Sequence, residues 1–161
     1  MILALLALTA CGGAPGVRAT RADGSRIELG QSRAWCGAYD PASGAAGQPR
    51  ALHALVGRLP QPEPVGSYLL VSRRLDDLRR GRVVRLPDDA ELGTAFVFDA
   101  KTRNEVASNL QGATGSVRFR AVSCTPGAKI RVRLDAVLVS ENGGGEPVHV
   151  RGDLRARIGA K

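Results

Sequence analysis

The sequence predicts an all-β domain, an antiparallel β-sandwich or barrel-like sheet with at most one short helix. Two observations carry this. Short segments of alternating apolar and polar residues recur along the chain, each bounded by Gly, Pro, Asn or Asp, as half-buried strands joined by tight turns require. Only residues 74–80 carry apolar residues at helical spacing, so alternating β–α–β units are excluded.

Taken in order, residues 24–30 (Gly-Ser-Arg-Ile-Glu-Leu-Gly) alternate between bounding glycines and read as a first strand, and 33–39 read as a second. Residues 40–48 (Asp-Pro-Ala-Ser-Gly-Ala-Ala-Gly-Gln) are turn chemistry throughout. A short apolar run follows at 51–58. Pro60, Pro62 and Pro64 then form an extended connection. Tyr68, Leu69, Leu70 and Val71 mark a buried strand over 67–72. Val71, Leu75 and Leu78 have helical spacing, but Gly81 closes the segment, leaving a short helix or a turn. Residues 82–86, 93–99 and 104–108 are further strands.

The C-terminal third carries the clearest pattern. Residues 116–124 put Val117, Phe119 and Ala121 on one face and Arg118 and Arg120 on the other. In 129–140, Ile130, Val132, Leu134, Ala136 and Leu138 oppose Arg131, Arg133 and Asp135. In 147–158, Val148, Val150, Leu154, Ala156 and Ile158 oppose His149, Arg151, Asp153, Arg155 and Arg157. The links, Thr125-Pro126-Gly127-Ala128 and Glu141-Asn142-Gly143-Gly144-Gly145, suit hairpins. A three-stranded antiparallel meander with one wet face follows.

A chain of 161 residues holds one domain with a modest core, and its 43% hydrophobic content excludes a disordered polymer. Aromatic residues are only 4%, so Val, Leu, Ile and Ala must build the core. The net charge is +8, and lysine occurs only at 101, 129 and 161, so 20 of the 23 cations are arginine. That excess fits an anionic partner. It also fits a GC-rich codon bias, which favours Arg, Ala, Gly, Val and Pro together.

The outer face of the meander is the candidate site. Its strands would set Arg118, Arg120, Arg131, Arg133, Arg151, Arg155 and Arg157, with His149, side by side. Like charges in that arrangement invite an anion. Asp135 and Asp153 share the face and offer internal pairing. Aromatic platforms of the kind single-stranded nucleic acid needs are missing, which counts against nucleic acid. No Gly-x-Ser-x-Gly elbow, His-Glu-x-x-His or phosphate loop occurs. His53 lies in an apolar run and reads as a core or strand-surface histidine, and Ser25, Ser32 and Ser72 have no legible partner. Asp76-Asp77 and Asp88-Asp89-Ala90-Glu91 lack the spacing of a calcium loop and read as balancing Arg73, Arg74, Arg79 and Arg80. Neither a metal nor a cofactor is indicated.

Residues 1–10 are uncharged and mostly aliphatic, too short a run to span a bilayer and of the length of a secretory signal's apolar region. They end in Leu8-Thr9-Ala10-Cys11. This resembles the bacterial lipobox, Leu-[Ser/Thr/Ala]-[Ala/Gly]-Cys. The resemblance implies a signal peptide at 1–10, a diacylglyceryl group on the Cys11 thiol, a flexible tether over 11–23 and a single β-rich domain over 24–161. Gly12, rather than Asp, after the cysteine implies outer-membrane sorting. Without lipidation the same run would read as a buried strand with a free thiol.

With Cys11 assigned to lipid, Cys36 and Cys124 remain in a chain bound for an oxidising compartment, and both sit in strand-like contexts. A bridge between them would close 88 residues and contribute roughly 4 kcal/mol in the chain-entropy model. The alternative, a metal or catalytic thiol, lacks nearby histidines.

The chain thus resembles bacterial lipoproteins that carry one β-rich domain. The resemblance implies a membrane held through the N-terminal lipid and a non-enzymatic structural or partner-binding role, the partner being an anionic envelope polymer or another envelope protein. A second expectation is binding of an anionic ligand, a polysaccharide or lipopolysaccharide, through the arginine face. A third is an envelope hydrolase with an unrecognised site.

Overall fold

The computed structural model describes residues 16–40, 43, 45–58, 66–140 and 144–159. Residues 1–10, read above as a signal peptide, Cys11, residues 12–15, the three prolines at 60, 62 and 64, and loop residues 141–143 lie outside the described residues.

Eleven strands and one helix are described, in the order β1 (Val17–Thr20), β2 (Arg26–Ile27), β3 (Ser32–Ala38), β4 (Arg50–Val56), β5 (Tyr68–Arg74), α1 (Leu75–Arg80), β6 (Val83–Arg85), β7 (Ala95–Asp99), β8 (Asn104–Ala107), β9 (Thr114–Ala121), β10 (Lys129–Leu138) and β11 (Val148–Arg157). They form two antiparallel sheets, β2-β1-β11-β10-β9-β6 and β3-β4-β5-β7-β8. The all-β sandwich and its C-terminal meander β9-β10-β11 are as the alternation requires. Ala34 bridges to Ile158 and Ala107 to Val139, so both edges of the five-stranded sheet touch the other sheet and the sandwich is partly closed.

The main core lies between the sheets and is aliphatic apart from Phe119 and Cys36. The six-stranded sheet is wet on its other face: along β10, Ile130, Val132, Leu134, Ala136 and Leu138 are buried, while Lys129, Arg131 and Asp135 are exposed. The five-stranded sheet is apolar on both faces, which is why β4 reads as a continuous apolar run. Its far face carries a second cluster of Leu55, Tyr68 and Phe98, packed with Trp35, Leu70 and Phe96.

Three expectations are corrected. Residues 17–20, assigned to the tether, form β1, with Val17 and Ala19 buried against β11, so the folded domain begins before residue 24. Of the strand over 24–30, only Arg26–Ile27 pairs. The strand over 116–124 stops at Ala121, so Cys124 lies beyond β9, and a register shift at Arg131/Val132 sets Ala121 opposite Arg131 on the wet face rather than beside Val117 and Phe119.

The Cys36–Cys124 disulfide is present, with the Cα atoms 5.6 Å apart. It ties β3 of one sheet to the segment after β9 of the other. A second tie is ionic. Asp99, at the end of β7, receives Arg21 Nε at 2.6 Å and Nη2 at 2.9 Å from the β1–β2 turn.

Candidate anion-binding face

The meander register decides which outward side chains are neighbours. Arg131 faces Arg155, Lys129 faces Arg157, Arg118 faces Arg133, and Arg151 faces Arg18 of β1. These are four directly opposed like-charge pairs on one face, each with Cβ atoms about 5 Å apart, an arrangement that is destabilising unless a neighbouring carboxylate or a bound anion intervenes. Arg85 of β6 and Arg26 of β2 extend the field at either edge. The sequence reading could not include Arg18, Arg26 or Arg85, because their membership depends on pairings outside the meander. Arg120 is exposed in the β9 bulge and so departs from the regular ladder.

Among the described residues, two carboxylates share the outward face of β10 and β11. Asp153 takes Arg131 in a two-pronged contact, Nε to Oδ1 at 3.2 Å and Nη2 to Oδ2 at 2.9 Å, and Arg133 Nη1 at 3.3 Å. The Arg131 hydrogen bond holds the Asp153 carboxyl below the usual carboxylate range, and the same contact raises Arg131. Asp135 lies 3.4 Å from His149 Nε2. Arg157 donates to the Gly127 carbonyl at 3.1 Å. Arg18, Arg118, Arg151 and Arg155 make no ion pair among the described residues. Asp153 thus relieves two of the seven predicted arginines, and the face keeps a large positive excess.

The other acidic clusters are occupied. Asp76 pairs with Arg79 at 3.1 Å, and Asp77 with Arg80 at 2.5 Å and Arg73 at 3.6 Å. Arg74, expected to join them, lies instead over the Tyr39 ring at 4.8 Å. Asp88 is buried and accepts from Ala90 N, Thr94 N and the Ser108 hydroxyl, so it organises a loop.

His53 is 2% exposed and stacks on Trp35 with ring centroids 5.0 Å apart. Its Nε2 lies 2.8 Å from the Ala38 carbonyl, so that nitrogen carries the proton; Nδ1, 2.8 Å from Ser72 Oγ, accepts the hydroxyl proton. Ser72, unpartnered in the sequence reading, is therefore the partner of a core histidine. Burial pushes His53 below its usual value, keeping it neutral at pH 7. A hydroxyl on an imidazole acceptor could begin acyl transfer, but an oxyanion needs free donors. The backbone N–H groups around this site are taken: Leu92 donates to Tyr39 Oη, Gly93 to Ala90, Thr94 to Asp88 and Ser72 to Thr94.

No protein family, curated protein or solved structure matches this chain. The functional reading therefore rests on geometry. Among the described residues every buried side-chain polar atom has a partner, so the interior holds no unsatisfied group awaiting a ligand. The uncompensated chemistry is on the surface, in the basic sheet face.

Proposed function

We propose that this chain is a non-enzymatic bacterial envelope lipoprotein that binds an anionic polymer through the outer face of its six-stranded sheet. The single observation carrying the binding role is the set of four opposed like-charge pairs, answered by two carboxylates. Codon bias explains a high arginine content, but it does not by itself segregate those arginines onto one face. Guanidinium forks suit phosphate, sulfate and carboxylate. The anchoring role is supported by Leu8-Thr9-Ala10-Cys11, and the outer membrane by Gly12.

Heparin serves as the probe polyanion. Retention on immobilised heparin is expected to fall steeply with salt, as counterion release dictates. Replacing the unpaired Arg18, Arg118 and Arg151 together by Gln is expected to abolish retention at physiological salt. The charge-matched control Arg50→Gln/Arg79→Gln/Arg80→Gln, placed at α1 and the start of β4, is expected to retain it. Equal loss in both variants would reduce the binding to net charge and overturn the assignment to this face.

For the anchor, the wild-type chain is expected to partition with membranes and to begin at a diacylglyceryl-modified Cys11 by mass spectrometry. Cys11→Ser is expected to release it to the soluble fraction. Wild-type chain recovered with residues 1–10 attached and no lipid would refute the anchoring role.

A further inference from the structure

One part of the basic face is not simply basic. Where the start of β3, the start of β10 and the end of β11 converge, a cleft of about 720 Å³ opens. Five cations rim it: Arg33, Lys129, Arg131, Arg155 and Arg157. Its remaining lining is Ser32, the half-buried Ala121, and Ile130 and Ala156, which are buried in the core beneath it; no acidic side chain lines it.

The sequence makes the cleft in two ways. Ala121 sits opposite Arg131 at the β9 register shift, so a methyl stands where the ladder elsewhere carries long arginines. β11 runs past the end of β1, and β3 closes against it through the Ala34–Ile158 bridge and a 2.6 Å hydrogen bond from Ser32 Oγ to the Arg155 carbonyl. That corner brings Arg33 from the other sheet onto the rim. The arginine and lysine stems add further apolar wall while their heads stay in water.

A polar polyanion would use the rim and leave the apolar lining wet. We infer that this cleft binds a phosphate-bearing amphiphile, one lipid-like molecule with its headgroup on the cations and the start of its hydrocarbon chain over Ala121 and the alkyl stems of the surrounding arginines and Lys129. The inference rests on the proposed anion-binding role and adds the ligand's apolar part. Charge complementarity fixes the sign of the headgroup, and the lining fixes the need for a chain.

The test compares butyl phosphate with methyl phosphate by isothermal titration calorimetry on the wild-type chain. One-to-one binding is expected, with the butyl compound roughly 50-fold tighter, the gain from covering about three methylenes. Ala121→Trp, or the gentler Ala121→Leu, is expected to erase that chain-length preference while heparin retention is unchanged. Arg18→Gln/Arg118→Gln/Arg151→Gln is expected to do the reverse. Equal affinity for the two phosphates with heparin retention intact would overturn the amphiphile cleft and leave the polyanion face standing. Absence of binding to both phosphates and to heparin would overturn both.

Discussion

Replacing Cys36 and Cys124 together by Ala is expected to lower the stability of this domain by about 4 kcal/mol. The bridge closes 88 residues, so most of the unfolded chain's freedom between β3 and the end of β9 returns when it is cut. For a domain of this length that corresponds to a melting temperature lower by about 8–16 °C. Alanine keeps the folded state intact, since Cys36 is a small buried residue at the margin of the core, and its loss leaves no charged or polar group unpaired. The reduced wild-type chain should melt with the double variant. The check is thermal unfolding of oxidised wild type, reduced wild type and double variant side by side. A double variant melting within about 2 °C of the oxidised protein would show that the β3–β11 corner, held by the Ala34–Ile158 bridge and the Gly159 N–H to Ala34 carbonyl bond, suffices without the disulfide.

The disulfide and the meander were legible for the same reason: each is written in residues whose meaning is local or combinatorial. Period-two alternation over ten residues, as in Lys129–Leu138, has one reading once a face is wet. Two cysteines left once Cys11 is set aside have one obvious partner each. What the sequence concealed depends on pairings between distant segments. Val17–Thr20 offers two apolar residues, too few to announce a strand, and is ordered by its ladder with Arg151 and its neighbours. The end of β9 was overread because Val117, Phe119 and Ala121 keep a period-two spacing in the sequence, while the register shift at Arg120 turns Ala121 to the other face. Ser72 meets His53 through the β4–β5 register, nineteen residues apart. Of the candidate site, the seven arginines could be listed from periodicity. Their uneven fates could not: Asp153 claims Arg131 and Arg133, and Arg118, Arg151 and Arg155 are left to solvent. Arg33, on the rim of the cleft, comes from the other sheet and carries no local sign of it.

Asp99→Ala is expected to cost about 3–5 kcal/mol, because it strands a guanidinium built to be paired. The Asp99 side chain is 1% exposed and that of Arg21 12%. Asp99 accepts Nε and Nη2 of Arg21, Thr102 Oγ1 at 2.8 Å and the Lys101 N–H at 3.1 Å. Arg21 spends Nη1 on Ser25 Oγ and the Arg26 carbonyl, both at 2.9 Å. The pair thereby fastens the β1–β2 turn of one sheet to β7 of the other. The Arg21 hydrogen bonds hold the Asp99 carboxyl below its ordinary 3.8. The folded state therefore binds the proton less readily than the unfolded state. Its contribution is complete above pH 3.8 and is lost as pH falls through the folded value. Wild type should accordingly lose stability in that acid window with a steeper slope than Asp99→Ala. Arg21→Met/Asp99→Leu separates pairing from packing. A buried ion pair is often matched by apolar residues of similar size, so this double variant should recover most of what Asp99→Ala loses and share its flatter acid slope. Urea titrations of the three proteins at pH 7 and pH 3 decide it. If Asp99→Ala unfolds within about 1 kcal/mol of wild type at pH 7, Arg21 has found water or another acceptor, and the sheets at that end are held by the apolar core alone.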